Sequence, residues 1–328
     1  MAGIKFTHSY NNIISLENLL KAWKEFVRGK RKRKDVQEFE RNLLSNIISL
    51  HQSLFEKTYC HSGYEAFNIS DPKPRNIHKA GVRDRLLHHA IYRILYPFFD
   101  KTFIADSYSC RIAKATHKAI NRFHSFVYQV SENGKKTVWI LKCDIRKFFD
   151  NIDHKILLDI LKIRILDQDI VWLLKNVIHS FSKNPGKGLP LGNLTSQLFV
   201  NIYMNEFDQL VKHKLKVKYY VRYADDFVIL SQDKFWLEEL LSKLADFLSE
   251  RLKLEMHPDK VFIKTLASGV DFLGWVHFPD HRVLRTTTKR RMLKKIKENP
   301  TSETTNSYLG LLKHGNTHKL KNMIKSGQ

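Results

Sequence analysis

Three aspartates stand where apolar, strand-like segments end, and their side chains are suited to metal chemistry. Asp225 and Asp226 lie at a tight turn within 218–230, between two runs rich in β-branched and aromatic residues, which is the pattern of a hairpin. Asp144 ends another apolar run. If these strands are neighbours, the carboxylates converge and offer the hard oxygen ligands that Mg²⁺ prefers. A pair of Mg²⁺ ions about 4 Å apart is a common apparatus for phosphoryl transfer. The alternative for Asp225 and Asp226 is a solvated acidic turn.

The net charge of the chain indicates a polyanionic partner. Its 328 residues include 56 Lys and Arg against 33 Asp and Glu, which gives a formal net charge of +23 at pH 7. This excess is larger than solubility requires, and it carries no information about fold. A nucleic-acid backbone is a polyanion of the required kind.

The cysteines and the hydropathy pattern bear on the compartment. Cys60, Cys110 and Cys143 are odd in number and have no paired spacing, so we expect neither a disulfide framework nor a zinc site. Residues 1–14 lack the continuous apolar core of a signal peptide, and no apolar run approaches the ~18 residues of a transmembrane helix. The sequence therefore predicts a cytoplasmic protein without a membrane partner. Its length allows a substantial core and two or three subdomains.

The N-terminal part is predicted to be helical and basic. Apolar residues recur at helical spacing from Ser15 to Arg28, with Ser15 as the N-cap. Six of the seven residues in Arg28–Lys34 are cationic. Such a run forms either a solvated loop or a contact with an RNA backbone. A second amphipathic helix is predicted over Asp35–Lys57, with Asp35 as its cap.

A strand and a proline-containing segment follow. Tyr64–Ile69 reads as a strand, and it leads into Asp71-Pro72-Lys73-Pro74-Arg75. Each proline disfavours helix at the residue before it, so the backbone is held extended and Lys73 and Arg75 project from the same side. Paired cations on a fixed strand suit a triphosphate. The alternative is an ordinary basic turn.

The later part of the chain alternates turns and helices. The glycine-rich segment Pro185–Gln197 lacks the Gly-Lys-Ser/Thr ending of a P-loop, and it leads into an amphipathic helix that reaches Lys214. Further helices are predicted over 237–252, over the strongly basic 285–297, and once or twice within 306–325.

The segment Tyr223-Ala224-Asp225-Asp226, with Asp144 upstream, resembles the palm of a reverse transcriptase. The resemblance covers roughly residues 60 to 325. It implies an α+β fold of the right-hand polymerase type, in which an antiparallel palm sheet is backed by helices and both the N-terminal extension and the thumb are helical. The domains expected on this basis are a basic N-terminal extension (1–60), fingers (61–140, with 155–193 interleaved), a palm (141–279) and a short thumb (280–328).

The resemblance also implies metal and acid–base roles. Asp144, Asp225 and Asp226 are expected to bind two Mg²⁺ ions, with the backbone carbonyl of Ile145 as a further ligand. Lys260 stands where the family has a lysine that can protonate the leaving pyrophosphate. With these roles, the chain is expected to be an RNA-directed DNA polymerase that uses template RNA, cDNA and deoxynucleotides.

Contacts with the substrates follow from the same resemblance. The residues expected to contact the deoxynucleotide are Lys73, Arg75, Phe149, Leu191 and Gly192. Those expected in the primer grip, a hairpin between palm and thumb, are Phe272, Leu273 and Gly274. Phe149 lies five residues beyond Asp144, where the family has a bulky side chain beneath the ribose. The alternatives are that Phe149 is a core aromatic and that Leu191 packs under the fingers.

One motif departs from most of the family. Where most reverse transcriptases have Gln-Gly and Ser-Pro, this chain has Leu191-Gly192 and Ser196-Gln197. That departure resembles the reverse transcriptases of diversity-generating retroelements, bacterial and phage enzymes that copy a template RNA with errors at adenines and work with a small basic oligomeric accessory protein. The open alternatives are a group II intron, retron or phage-defence reverse transcriptase, and an RNA-binding scaffold that has lost catalysis.

Overall fold

The computed structural model describes residues 5–70 and 73–326, so Asp71 and Pro72 of the predicted proline-containing segment lie outside the described residues. No helix in these two ranges is both long and apolar enough to span a membrane. The chain forms two compact units. The first consists of Met1–Ala105, Ile145–Lys214 and Asp246–Glu255, and the second of Asp106–Asp144, Leu215–Ala245 and Met256–Gln328.

Helices and short strands alternate along the chain. The strands are β1 (Tyr64–Ile69), β2 (Arg75–Ala80), β3 (Trp139–Asp144), β4 (Tyr220–Tyr223), β5 (Asp226–Ser231), β6 (Phe262–Thr265), β7 (Val270–Phe272), β8 (Trp275–His277) and β9 (Arg282–Leu284). The helices are α1 (Tyr10–Ile14), α2 (Leu16–Phe26), α3 (Lys34–Arg41), α4 (Leu43–Phe55), α5 (Val82–Asp100), α6 (Thr116–Val130), α7 (His154–Arg164), α8 (Gln168–His179), α9 (Leu194–Gln209), α10 (Lys234–Leu252), α11 (Thr286–Glu298), α12 (Ser302–Leu312) and α13 (His318–Ser326). Short 3₁₀ turns lie at Phe148–Asn151, Pro258–Lys260 and Leu266–Ser268, and a π-helical turn at Leu210–Lys214.

The first unit is built around α5. This helix contacts α1, α2, α3 and α9, and its Leu86, Leu87 and Ile91 are completely buried. α2 forms where apolar residues recur at helical spacing, and Ser15 caps it as predicted by accepting a hydrogen bond from the backbone N–H of Asn18 at 3.2 Å. β1 and β2 form an antiparallel hairpin in the same unit.

The helix predicted for Asp35–Lys57 is wrong in two respects. The segment forms two helices, α3 and α4, because the backbone leaves the helical region at Asn42, where φ is −117° and ψ is 38°. The N-cap of α3 is Arg33 rather than Asp35. Asp35 lies inside the first turn, where one carboxylate oxygen accepts a hydrogen bond from the backbone N–H of Val36 at 3.0 Å and the other lies 2.6 Å from Nη2 of Arg85.

The second unit contains a four-stranded antiparallel sheet in the order β4-β5-β3-β6. Its central strands are apolar apart from Lys142 and the residues at the strand ends, and they are buried on both faces, as Ile140, Cys143 and Phe227 show with no exposed surface. α6 packs on β4 and β5, and it contributes Phe123 and Phe126 to the core beneath the sheet. The α+β class and the antiparallel sheet expected from the sequence are confirmed.

The C-terminal part of the second unit is a three-stranded sheet followed by α11, α12 and α13. The sheet has the order β7-β8-β9, and its Trp275 packs with Met292 and Leu312 in a second core cluster. β7 and β8 are joined by Leu273 and Gly274, whose φ angles of 52° and 87° are both positive. Two left-handed residues in succession give a tight hairpin turn whose twist matches that of the flanking strands.

Candidate active site

Two of the three aspartates face each other across the central strands. β3 ends at Asp144 and β5 begins at Asp226, and the antiparallel register pairs these residues directly. Cβ atoms of residues paired in this way are about 4.5–5.5 Å apart, so their side chains lie side by side on one face of the sheet. Like charges in this arrangement destabilise a sheet unless a cation lies between or beside them. The local structure therefore calls for positive charge at this point.

The third aspartate, Asp225, lies in the turn between β4 and β5. Ala224 precedes it with a φ of 56°, a left-handed conformation that is uncommon for a residue with a Cβ. Arg222, which is only 1% exposed, donates a hydrogen bond from Nη1 to the carbonyl of Ala224 at 3.0 Å. A buried guanidinium thus braces the turn and fixes the position from which Asp225 and Asp226 project.

Lys142 supplies one of the required cations. It lies two residues before Asp144 on β3, so the two side chains share a face of the strand. Its Nζ is 3.1 Å from Oδ1 of Asp226, and its side chain is only 10% exposed. Burial raises the pKa of Asp226 to about 6; Lys142 opposes this rise, and the Asp225 and Asp144 carboxylates add to it.

Lys260 supplies a second cation, and two contacts with Asp144 position it, one to the backbone and one to the carboxylate. The backbone N–H of His257 donates to the carbonyl oxygen of Asp144 at 2.7 Å, and Lys260 follows in the 3₁₀ turn Pro258–Lys260. The chain thus returns Nζ of Lys260 to 3.0 Å from Oδ1 of Asp144. The structure therefore places Lys260 beside this carboxylate, and its role as a general acid stays a prediction.

The donor set suits a hard divalent cation. Oδ1 of Asp226 is buried and has no hydrogen bond of regular geometry within the described residues, although Nζ of Lys142 lies 3.1 Å away and lowers the pKa of the carboxyl group. Such an oxygen is available to a metal ion. Within residues 5–70 and 73–326, however, no three Asp, Glu, His or Cys side chains are arranged to enclose one ion. Because the ammonium groups of Lys142 and Lys260 already lie 3.1 and 3.0 Å from the carboxylates of Asp226 and Asp144, a cation bound here would compete with them.

The residues predicted to contact the nucleotide lie in the first unit. Lys73 and Arg75 are exposed at the start of β2. The carbonyl of Leu191 accepts a hydrogen bond from the backbone N–H of His78 at 3.1 Å, so the turn that precedes α9 is fastened to β2. Gly192 has a φ of +103°, and a Cβ there would lie 2.8 Å from Cγ2 of Ile77, so only glycine allows this approach.

A cleft of about 360 Å³ opens beside Gly192. We call it the hairpin cleft, because Phe67 and Ile77 of the β1–β2 hairpin form one of its walls. Lys30 and Arg33, from the basic run that the sequence left open between solvent and RNA, line it as well. The structure therefore brings part of that run to the same cleft as a predicted nucleotide-contacting residue.

The remaining predicted residues differ in exposure. Phe149 is half-buried in the 3₁₀ turn Phe148–Asn151, so it is not a fully enclosed core aromatic. Ile145 is 1% exposed. In the predicted primer grip, Phe272 is fully buried and packs in the core, whereas Leu273 and Gly274 form the turn. Phe272 can therefore support the turn but has no surface with which to contact a primer.

Sequence reasoning missed two residues of this site, Lys142 and Arg222. The signal that could have found them is the same in both cases, a single cation inside a run of residues otherwise typical of a buried strand. A buried cation requires an acceptor, so each predicted an anion or a carbonyl nearby. Both acceptors proved to lie at the aspartate cluster.

Carboxylates at adjoining strand ends of an antiparallel sheet, with a lysine beside one of them, are the arrangement that the resemblance to a reverse transcriptase palm led us to expect. The chain belongs to the reverse transcriptase family. Residues 70–277, more than half of its length, match the family model described as "Reverse transcriptase (RNA-dependent DNA polymerase)".

Several curated proteins match this chain at low sequence identity. Protein YkfC of Escherichia coli (strain K12) is 26% identical over 259 residues, which cover 67% of this chain and 66% of YkfC. The group II intron-encoded protein LtrA of Lactococcus lactis subsp. cremoris is 24% identical over 319 residues, which cover 75% of this chain and 51% of LtrA. The putative COX1/OXI3 intron 2 protein of Saccharomyces cerevisiae is 22% identical over 275 residues, covering 65% of this chain and 30% of that protein. The chain thus spans between about a third and two thirds of these relatives.

The competition between Lys142 and a metal ion can be tested by Lys142→Met, with Lys142→Arg as the charge-preserving control. Without metal, Lys142→Met leaves Asp226 buried and unpaired, which should lower the free energy of unfolding by about 1–3 kcal/mol. With Mg²⁺ added, the same variant should be stabilised more than the wild type, because no ammonium competes for the carboxylate. Thermal unfolding with and without Mg²⁺ measures both effects. An equal Mg²⁺ response in all three proteins would contradict the competition.

Proposed function

We propose that this chain is an RNA-directed DNA polymerase whose active site is the Asp144, Asp225 and Asp226 cluster. The observation that carries the proposal is the direct pairing of Asp144 with Asp226 across β3 and β5, with Asp225 in the adjoining braced turn. The three carboxylates and the Ile145 carbonyl would hold two Mg²⁺ ions, which would supply the charge stabilisation of phosphoryl transfer. The alternative of an RNA-binding scaffold that has lost catalysis is disfavoured, because all three carboxylates are present.

The protein's own residues have distinct tasks in this mechanism. Lys142 orients the Asp226 carboxylate from 3.1 Å and offsets part of the negative charge of the cluster. Lys260 protonates the departing pyrophosphate from its place beside Asp144. Lys73 and Arg75, both exposed cations on one extended segment, bind the triphosphate of the incoming nucleotide.

The hairpin cleft is proposed to hold the template strand. Three buried polar atoms among the residues that line it have no hydrogen-bond partner within the described residues, namely Nε of Arg85, Nδ1 of His88 and Oδ1 of Asn193. These atoms have almost no surface of their own, so a ligand in the cleft reaches them only if the cleft wall moves. Lys30 and Arg33 add the positive charge that an RNA backbone requires.

The right-hand polymerase division accommodates these tasks. We assign the N-terminal extension to 1–60, the fingers to 61–140 with 155–193 interleaved, the palm to 141–279 and the thumb to 280–328. In this division the turn at Leu273 and Gly274 forms the primer grip, supported from the core by Phe272. The basic helix α11 then belongs to the thumb, where cations suit a bound nucleic-acid duplex.

Within the family, two branches remain candidates. Leu191 and Gln197 favour a diversity-generating retroelement enzyme, which copies its template RNA with errors at adenines and works with a small basic oligomeric accessory protein. The similarity to LtrA favours an intron-encoded type instead. We propose the diversity-generating type, because Leu191 has a physical consequence. Leucine offers neither a donor nor an acceptor to an incoming nucleotide, so one polar restraint on its position is missing.

Asp225→Asn tests the metal site. Loss of a ligand that stabilises transition-state charge should reduce Mg²⁺-dependent extension of a DNA primer on an RNA template by about 10³-fold or more. RNA binding should change little, because it depends on many cations elsewhere. Asp233→Asn is the control, since Asp233 is exposed at the loop before α10. Substantial extension by Asp225→Asn would remove the assignment.

Phe149→Ala tests the contact beneath the sugar. If the half-buried ring blocks a 2′-hydroxyl, removing it should admit ribonucleotides, so the preference for deoxynucleotides should fall by about tenfold or more. Primer extension in competing ribo- and deoxynucleotides measures the preference. Phe148→Ala is a matched control, because Phe148 is buried beside Phe149. An unchanged preference in Phe149→Ala, or an equal change in both, would assign Phe149 a packing role only.

Leu191→Gln tests the branch. A lost polar contact is worth about 1–3 kcal/mol, so restoring one should improve selectivity about tenfold to a hundredfold. Sequencing the products copied from a defined RNA measures the error of both proteins. We expect wild-type errors concentrated at template adenines and fewer errors in Leu191→Gln. Low, evenly spread error in the wild type would leave a reverse transcriptase outside the diversity-generating branch.

A further inference from the structure

A second cleft in the first unit is lined by cations that the polymerase mechanism does not use. It has a volume of about 360 Å³. We call it the basic cleft. Its cationic residues are Arg146, Lys147, Lys183, Lys187 and Lys253. Three separate segments of the chain supply them, so their convergence is a product of the fold and not of one basic run.

Few of these charges are neutralised by the protein itself. Arg146 lies 3.6 Å from the Glu255 carboxylate, so that pair nearly cancels. The four lysines have no ion-pair partner among the described residues, and Asp150 is the other carboxylate in the lining. A concave surface with an excess of one sign of charge focuses its field and raises the local concentration of counter-ions.

The backbone holds two of the lysines in place. Lys183 and Lys187 flank a tight turn, in which the N–H of Lys183 donates to the carbonyl of Lys187 at 2.9 Å and the N–H of Lys187 donates to that of Asn184 at 2.9 Å. Gly188 follows with a φ of +107°, and a Cβ there would lie 2.9 Å from the backbone of Lys183. The turn is therefore closed tightly, and both lysines remain on the cleft.

Two further lysines occupy a strained conformation. Lys147 has a φ of 44° and Lys253 a φ of 50°, in the left-handed region that favours Gly or Asn. A lysine costs stability at such a position, and strained residues cluster at functional sites. Lys57 and Lys216 share this conformation outside the cleft, so the backbone geometry supports the site only together with the convergence of the four lysines.

We propose that the basic cleft is a phosphate-binding site. Several unpaired ammonium groups in a cleft of this size suit a ligand with more than one phosphate, and Asn151 and Asn184 in the lining add neutral hydrogen-bonding groups. The phosphates have two possible sources, pyrophosphate and the backbone of RNA. The identity of these sources rests on the proposed function, whereas phosphate binding itself does not.

The test uses the full chain with Lys183→Gln and Lys187→Gln combined. Its matched control combines Lys101→Gln and Lys135→Gln, which removes two exposed lysines that have no ion-pair partner among the described residues. Pyrophosphate binding is measured by titration calorimetry, and binding of a 20-nucleotide RNA by fluorescence anisotropy from low to high salt. The cleft variant should lose about tenfold or more in affinity for one of these ligands, and the control about twofold or less.

The two sources predict different results. If RNA binds, the slope of log affinity against log salt should become shallower by about 1.4, which corresponds to two lost single-strand contacts. If pyrophosphate binds, its affinity should fall while the salt slope for RNA stays unchanged. Equal behaviour of the cleft variant and the control with both ligands would overturn the site. If the wild type binds phosphate but is inactive in primer extension, the proposed function is refuted and the phosphate-binding site is not.

Lys253→Asn separates binding from folding. Asparagine tolerates the left-handed backbone, so this change removes the ammonium group and relieves strain. The unfolding midpoint should stay the same or rise, and phosphate affinity should fall by about tenfold. Unchanged phosphate affinity for both ligands in a stably folded Lys253→Asn protein would likewise contradict the proposal.

Discussion

Two like charges placed opposite each other across neighbouring strands are the constraint on which the site depends. The register of β3 and β5 sets Asp144 against Asp226, and the pleat of the strands allows no other direction for their side chains. Lys142 and Lys260 each lie against one carboxylate, so the sheet can form without bound metal. A metal ion bound at either carboxylate would compete with the lysine that lies against it.

The turn that carries Asp225 shows how the surrounding structure serves this constraint. A left-handed Ala224 is unfavourable by itself, and the buried guanidinium of Arg222 offsets that cost by holding the carbonyl of Ala224. The 3₁₀ turn at Pro258–Lys260 does the same for Lys260, because it begins from a hydrogen bond to the backbone of Asp144. A hydrogen bond to a neighbouring carbonyl thus holds the turn that carries Asp225 and the turn that carries Lys260.

Much of this arrangement could be predicted from the sequence, and the failures have identifiable causes. The strand Tyr64–Ile69, the Ser15 cap and the end of a strand at Asp144 followed from local patterns that the tertiary structure does not override. The interruption at Asn42 could not be predicted, because amphipathic spacing continues across it. The burial of Phe272 also depends on a neighbouring helix that the hairpin sequence does not reveal.

The positive charge of the chain is divided among several separate sites. Lys30 and Arg33 reach the hairpin cleft, four unpaired lysines line the basic cleft, and Lys142 lies buried at the carboxylates. A formal charge of +23 alone predicted only a polyanionic partner. The structure divides that excess among sites that differ in exposure.

The number of bound metal ions tests most directly whether the carboxylate cluster is the polymerase metal site. Mn²⁺ binding can be followed by electron paramagnetic resonance in the complex with an RNA template, a DNA primer ending in a 3′-deoxy sugar and the matching deoxynucleotide. The account predicts two bound ions in the wild type and fewer in Asp226→Asn, whose buried oxygen is replaced. Equal metal binding by the two proteins would contradict the assignment of this carboxylate cluster as the polymerase metal site.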